Sequence, residues 1–521
     1  MKQKQVAIVH FNTPELTEAC IMSVRKHGGM DYHVTVFDNS DDRPFIAKMD
    51  GVTVIDNTKG HIINFDNELK KFKNKCPEIG CAQGNNYGSV KHMMTIQKLW
   101  DILPDGFLLM DPDILLQKPV DFMFQEDRLC VGHIQVKSFY PKGMERLVPF
   151  LLWINVPMCR EYGIRFFDQK RCWAIHSKKK EDYNNWYDTG ASFLEDVRKC
   201  KAKGRRIDIR PLMLHYQGGS WRRNGLLEQI DWLMKHAPLW MPKSFERPKT
   251  DKIALVAVGR MENRYAKEWV DHHLKAGFDK IYIYDNNYDG EEHFEDVLKT
   301  AIAKKKVEII DWRNRDHQQN VAYRDWYEHH KHDYAWAAFF DFDEFLCIDQ
   351  GIKLREVFGK TESCVVKLNW ECYGDNGLIK ADKKKVQTRF ATPIATDVNV
   401  KDPHGDNYLV KSFVRGGLPF AIWRNPHCPK VPGSYAYIDG TKTDGTAIHQ
   451  PDYTVARLKH YVTKTIEEWM TVKVVRGEGC CKANTEDLRN NAVEIFFRYN
   501  ERTPEKEAWL KEHGFIGKPQ E

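Results

Sequence analysis

Two α/β domains in tandem, each Rossmann-like with a mostly parallel sheet, are what the sequence predicts. Three observations carry that prediction. The chain has 521 residues, more than one hydrophobic core normally serves. A strand–helix–strand pattern occurs twice. Each half also runs an apolar stretch into two aspartates one residue apart.

The repeat sets the domain boundary. From Val6 the chain reads V-A-I-V-H-F-N-T-P-E and later V-T-V-F-D-N-S-D-D; from Ile253 it reads I-A-L-V-A-V-G-R-M-E and later I-Y-I-Y-D-N-N-Y-D. The copies align at a constant offset of 247 residues, Val6 on Ile253 and Asp38 on Asp285. Each reads as an apolar strand, an amphipathic helix and a second apolar strand, one βαβ unit of a parallel sheet. Thr13-Pro14-Glu15 offers an N-cap and first-turn proline, Gly28-Gly29 a stop, and Gly277 the stop of the second copy. The second strands end in Asp38-Asn39 and Asp285-Asn286. Open α/β sheets bind ligands beyond the carboxyl ends of their strands, so Asp38, Asn39, Asp285 and Asn286 are nucleotide-site candidates. The competing reading is that they only close a strand. Three prolines between Pro238 and Pro248 mark a linker, giving domains 1–244 and 245–521.

The Asp-x-Asp pairs are Asp111 and Asp113, after Phe107-Leu108-Leu109-Met110, and Asp341 and Asp343, after Ala337-Ala338-Phe339-Phe340. Residues i and i+2 of a strand point the same way, so both carboxylates can face one ion. Hard divalent cations such as Mg²⁺ or Mn²⁺ take oxygen ligands and share substrate phosphates, so two carboxylates plus a diphosphate complete a shell. One such pair occurs by chance in many proteins; two, each downstream of a matching βαβ unit, are specific. A calcium loop needs further oxygen positions and a glycine, neither of which is here. No Gly-x-Gly-x-x-Gly fingerprint or P-loop follows either first strand, which excludes dinucleotide oxidoreductases and P-loop NTPases. Nucleotidyltransferases would need a glycine-rich triphosphate loop, and Asn12-Thr13 and Gly259-Arg260 are not one.

Composition narrows the class. A net charge of +6 is too diffuse for nucleic acid, and the lysine runs 178–180, 304–306 and 383–385 read as solvated faces. Thirteen cysteines without repeated spacing fit reduced thiols in a cytoplasmic compartment. No signal-peptide pattern opens the chain, and the longest apolar stretch, Val148 to Val156, is about half a bilayer span, so contact with a membrane would be peripheral.

The C-terminal half, about Lys252 to Glu468, resembles family 92 glycosyltransferases and related family-2-like domains of the GT-A fold. The matching pieces are Glu262-Asn263 with Glu268-Trp269 and His273, Ile283-Tyr284-Asp285-Asn286, Gln319 with Ala322-Tyr323, Phe340 to Phe345, Trp370 with Tyr373-Gly374 and Gly377, Lys411-Ser412, His427, and His460-Tyr461 with Lys464 and Glu467. The N-terminal half resembles family-2-type glycosyltransferases through Asp38-Asn39-Ser40, Gly84-Asn85-Asn86 with Gly88-Ser89 and His92, Met110 to Asp113, Asp188-Thr189-Gly190, and His215 to Trp221. The Glu-Asp pair usual in that family is absent.

The resemblance implies inverting, metal-dependent transfer from UDP-sugar donors to a growing glycan or lipid-linked glycan. Such transfer needs one carboxylate to take the acceptor proton while the metal stabilises the leaving diphosphate. The expected base is Asp188 in the first domain, with the N-cap of a helix from Ala191 to Lys201 as its competing role. In the second, either Glu371 or Asp375 is the base, spacing alone not choosing between them, with Glu344 a third candidate. The expected metal ligands are Asp111, Asp113 and His215, and then Asp341, Asp343 and His427, with His460 competing for the last place. Asp111, Asp341 and Glu262 also face the donor. The expectation is thus a bifunctional hexosyltransferase of polysaccharide assembly, such as bacterial capsule or lipopolysaccharide. One catalytic domain beside a non-catalytic glycan-binding or scaffold module is the alternative.

Overall fold

The computed structural model describes residues 3–28, 31–68, 87–136, 143–168, 171, 187–200, 203–218, 225–349, 351–358, 361–394, 406–479 and 482–517. Its internal contacts divide the chain into two compact units, Met1–Ser244 and Phe245–Glu521. Both are mixed α/β with a large, mostly parallel sheet, the fold class the repeated βαβ units predict.

In the N-terminal unit β1 (Lys4–His10), β2 (Tyr32–Asp38), β3 (Val52–Asp56) and β4 (Phe107–Met110) run parallel in the order β3-β2-β1-β4. The sequence then forms β5 (Ile114–Leu116), β6 (Cys130–Gly132) and the hairpin β7 (Ile134–Val136) with β8 (Glu145–Leu147). Next come β9 (Leu151–Ile154), β10 (Gly204–Arg206) and β11 (Met213–His215). Strand β9 inserts antiparallel between β4 and β6, and β5 leaves the sheet to pair antiparallel with β11. Helix α1 (Pro14–Gly28) and helix α2 (Tyr87–Ile102) cover opposite faces. Successive strand residues point to opposite sides: Val6 and Ile8 pack with Cys20, Ile21 and Val24 of α1, whereas Ala7 packs with Val90, Met93, Ile96 and Leu99 of α2. The later helix α3 (Ala191–Lys199) lies on the α2 side.

The C-terminal unit repeats this order. Strands β12 (Ile253–Gly259), β13 (Lys280–Asp285), β14 (Val307–Asp311) and β15 (Trp336–Phe339) run parallel as β14-β13-β12-β15. They are followed by β16 (Glu344–Ile348), β17 (Val365–Tyr373), β18 (Val410–Arg415), β19 (Tyr435–Tyr437), β20 (Lys442–Thr443) and β21 (Ala456–Tyr461). Strand β18 inserts antiparallel between β15 and β17, as β9 does, and β16 pairs antiparallel with β21, as β5 does with β11. Helix α4 (Asn263–Ala276) packs Tyr265, Ala266, Trp269 and Val270 under Leu255; helix α5 (Gln319–His330) packs Ala322, Tyr323, Trp326 and Tyr327 under Val256. Gly277 ends α4 at φ +113°, a left-handed conformation that glycine adopts without strain. Helices after Ile466, ending in α6 (Pro504–Glu512), form a separate apolar cluster around Trp469, Phe496 and Trp509.

The strand registers correct the constant offset. Val6 pairs with Val34 and Leu108, while Leu255 pairs with Ile281 and Ala338, so the first strands align at 249 and the second strands at 247. A two-residue shift leaves every side chain on its own face, so the apolar pattern is blind to it. Among the described residues, no helix is long and apolar enough to cross a membrane.

Candidate active sites

The second aspartates and the histidines meet because of strand register. Asp111-Pro112-Asp113 is a turn rather than strand, joining β4 to β5. His215, at the end of β11, lies opposite Ile114, the residue after Asp113. His215 Nε2 is therefore 3.2 Å from Asp113 Oδ1, and Asp113 Oδ2 accepts from Gly218 N at 3.1 Å. Ligand atoms of Asp111, Asp113 and His215 all lie within 4.8 Å of one another, and Asp111 Oδ1 is buried without a hydrogen-bond partner. Burial, then the neighbouring Asp113, push the Asp111 carboxyl up to about 7. Burial lowers His215, but hydrogen bonding to Asp113 and the two carboxylates outweigh it, so its pKa is raised. The half-buried Asp111 and buried Asp113 beside an imidazole offer a donor set that fits Mn²⁺ or Mg²⁺.

Asp188 is tied to this group. Arg146 Nη1, on β8, donates to its Oδ2 at 2.8 Å, while Ser89 Oγ and Thr189 N each donate to Oδ1 at 2.8 Å. The Arg146 guanidinium lies 5.6 Å from the Phe150 ring, which packs 4.4 Å from His215. His92 Nε2, on α2, is 3.8 Å from Asp111 Oδ1, and burial lowers its pKa to about 4. Asp188 is not the cap of α3: Gly190 occupies that position at φ +83°. A Cβ at Gly190 would collide with the Leu147 carbonyl oxygen. Gly190→Ala is therefore expected to lower the thermal stability of this unit by at least about 1 kcal/mol, measured by unfolding of the variant beside wild type.

Asp38 and Asn39 are bound into the scaffold. Asp38 accepts from Ser40 N at 2.9 Å and Phe45 N at 2.7 Å, and Asn39 joins Thr95 and Asn57. Their counterparts behave alike: Asp285 holds Asn287 and Arg313, and Asn286 donates to the carbonyls of Trp312 and Arg315. Asp285, His293 and Glu295 also converge, but the Arg313 guanidinium lies 2.6 Å from Asp285 and 3.5 Å from His293.

In the C-terminal unit Asp341-Phe342-Asp343 is again a turn. Trp269 Nε1 donates to the carbonyls of Asp341 (3.0 Å) and Glu344 (2.8 Å); Cys20, its counterpart at offset 249, reaches the Asp111 carbonyl. His460 on β21 lies opposite Glu344, the residue after Asp343, as His215 lies opposite Ile114. Its Nε2 is 3.7 Å from Asp343 Oδ1, and its Nδ1 is buried without a partner. His460, rather than the expected His427, thus occupies the place of His215. The His427 ring packs 5.0 Å from Trp370, and its Nδ1 meets the Val410 carbonyl at 3.2 Å. Burial lowers both histidines, His460 to about 3 and His427 to about 4.

Cations surround this second turn. Lys411 Nζ lies 2.8 Å from Asp341 Oδ2 and 3.4 Å from Glu344 Oε1, and Lys473 Nζ donates to Asp343 Oδ2 at 3.2 Å. Gln319 Nε2 (2.6 Å) and the Tyr323 hydroxyl (3.1 Å) hold Asp341 Oδ1. Burial opposes ionisation of Asp343, but Lys473, His460 and Lys464 hold its carboxyl well below the usual range. Glu262 ion-pairs with Arg476, whose pKa burial lowers to about 10.

Of the expected bases of this unit, Glu371 and Asp375 are held by other partners and only Glu344 stands at the turn. Glu371 alternates on β17 with Trp370 and Cys372, so it leaves the face on which Trp370 stacks 4.0 Å from His460; Tyr373 and Arg457 bind it. Asp375 is paired with Lys506 of α6 at 2.5 Å and accepts from Gly377 N at 2.9 Å. Glu344 is fully buried against Lys411 and the Asp341 amide. Gly84-Asn85-Asn86 and Gly219-Ser220-Trp221 lie outside the described residues. Arg146 and Lys473 were not singled out by the sequence. Each reaches its aspartate from far along the chain, and neither has a local signal.

Residues 263–415 match the family model described as Glycosyltransferase family 92. A family 92 protein of Oryza sativa subsp. japonica is 26% identical over 154 residues, 29% of this chain; the chain spans about a quarter (26%) of that relative's length. Among solved structures, the glycosyltransferase GlyE of Streptococcus pneumoniae TIGR4 is similar at 12% identity and a TM-score of 0.26, over 59% of this chain and 80% of its own. A galactosyltransferase LgtC in complex with donor and acceptor sugar analogs is similar at 13% identity and a TM-score of 0.26, over 40% and 74%. TarS of S. aureus in complex with UDP-GlcNAc is similar at 11% and 0.21, over 32% and 45%.

Proposed function

We propose that this chain is a bifunctional, inverting glycosyltransferase, with one nucleotide-sugar site in each unit, transferring sugars from UDP donors to a growing glycan. The observation that carries this is the duplicated arrangement: the same strand order, the same Asp-x-Asp turn leaving the fourth parallel strand, and the same histidine opposite the residue after it. The match of residues 263–415 to family 92 supports the C-terminal half.

In the N-terminal unit Asp111, Asp113 and His215 would hold Mn²⁺ or Mg²⁺, which when bound neutralises charge on the leaving diphosphate. Asp188 is the base. Arg146, Ser89 and the Thr189 amide fix both of its oxygens, so its direction is set before an acceptor hydroxyl arrives. Asp188→Asn is expected to lower kcat at this site by 10²–10⁴-fold, while UDP affinity stays within about twofold. Single-turnover kinetics beside UDP titration separates the two, and unchanged turnover would reduce Asp188 to an anchor for Arg146.

A screen of UDP-sugar donors by UDP release, on the full chain with Mn²⁺ and with chelator, tests the activity itself. Release from at least one donor with acceptor glycan present is the expected result. Failure with every donor contradicts it.

A further inference from the structure

The two turns carry the same aspartates but face different neighbours. Lys411 stands on the interior strand β18, fully buried, between Val410 and Ser412, and its ammonium bridges Asp341 and Glu344. Lys473 occupies the last position of a π-helical turn, Trp469–Lys473, inside the helical segment 466–476, and reaches Asp343. Such turns rotate the residues beyond them off the regular helical face and frequently mark functional sites. Lys464, at φ +56°, is buried near the same carboxylate. Two ammonium groups, Lys411 and Lys473, therefore meet three carboxyl groups, Asp341, Asp343 and Glu344.

The difference is written at defined positions. In the N-terminal unit Met110 pairs with Leu151 of β9. The register of β15 on β18 pairs Ala338 with Phe413, and two residues further it sets Phe340 opposite Lys411. Leu151, also fully buried, thus holds the place of Lys411. Ile114 likewise holds the place of Glu344, each standing opposite its histidine. A divalent ion seated on Asp341 and Asp343 would have to displace two ammonium groups, one of them fully buried. The donor set of the second turn does not fit the ion that suits the first.

We propose that Lys411 and Lys473 stand in for the divalent cation at the C-terminal site, so that the chain takes up one such ion, at Asp111, Asp113 and His215, and none at Asp341 and Asp343. This rests on both units being nucleotide-sugar sites. The ligand of the C-terminal site is then a nucleoside diphosphate received by ammonium groups. A lysine ammonium has three donors. Lys411 donates to Asp341 and stands in ion-pair range of Glu344, while Lys473, partly exposed, donates to Asp343 and keeps hydrogens for phosphate oxygens; lysine is a proven phosphate partner.

The test is a titration of the full chain with Mn²⁺ alone, free ion being read by electron paramagnetic resonance. One ion per wild-type chain is expected, none for Asp113→Ala, and one for Asp343→Ala. The double variant Lys411→Leu with Lys473→Met, which gives the second turn the leucine of the first, is expected to bind two; circular dichroism checks that it folds. Should it not fold, the wild-type and aspartate variants still decide the count. Two ions per wild-type chain, or loss of the ion in Asp343→Ala with retention in Asp113→Ala, overturns the proposal. No ion in wild type also contradicts the count, but the failure then lies at the N-terminal triad. A second reading uses UDP: in Asp113→Ala, chelator is expected to change the affinity of the remaining site less than twofold, and Lys473→Met to weaken it on the order of tenfold. A large loss in chelator would contradict the substitution of lysine for metal.

Discussion

Asp113→Ala is expected to lower N-terminal transfer on the order of a thousandfold or more and to leave C-terminal transfer within about twofold. The carboxylate it removes touches His215 Nε2 through one oxygen and the Gly218 amide through the other. Its loss therefore takes away a proposed metal ligand and the anchor of the chain beyond β11. Asp343→Ala does the reverse by a different route. Asp343 is buried against Lys473 and His460, so removing it strands an ammonium group and misplaces the histidine. Mass spectrometry of products, with each variant alone and the two mixed, reads the outcome. Mixing restores the two-sugar product through a diffusing intermediate. If either substitution silences both transfers on separately supplied acceptors, the sites are not independent.

The largest stability effect is expected at Arg389 and Glu468. Their bidentate pair, with both contacts at 2.9 Å, is almost fully buried, and Tyr265 and Thr465 donate to the same carboxylate. Thr465 and Glu468 also close a reciprocal cap on the helical segment that carries Lys473. Arg389→Ala leaves the carboxylate buried without its cation and is expected to cost about 3–5 kcal/mol, read by chemical unfolding. Burial works against ionisation of Glu468, but Arg389, Tyr265 and Thr465 outweigh it and bring its pKa down to about 2. The folded value lies below the usual glutamate value of about 4.3. The stabilisation is thus complete above that value and lost as pH falls toward 2. The gap in stability between wild type and Glu468→Gln is expected to be full at pH 6 and to narrow between about pH 4.5 and 2.

Much of the fold was legible because its signals are contiguous. Apolar runs ending in Asp38, Asp285, Asp111 and Asp341 mark four parallel strands, and Gly277 marks a helix end by a conformation glycine favours. What was not legible depends on pairing between distant segments. The first strands slip by two residues relative to the second, a shift that hydrophobic alternation does not register. His460 and His427 are equivalent as letters; only the pairing of β21 with β16 puts His460 beside Asp343. Glu371 sits among site residues in the sequence, yet strand alternation turns it to the other face, and Asp375 is neutralised by Lys506, 131 positions later. The reading of Asp-x-Asp as strand was wrong in local geometry, because both motifs are turns. The returning strand brings a histidine beside the second aspartate of each motif, which strand alternation does not foretell.

The central claim, two nucleotide-sugar sites in one chain, is tested most directly by counting bound nucleotide. Native mass spectrometry of the full chain with saturating UDP and Mn²⁺ is expected to show two UDP molecules per wild-type chain and one in Asp113→Ala. A single UDP in wild type that disappears with Asp113→Ala would leave the C-terminal unit without a donor site and contradict the account.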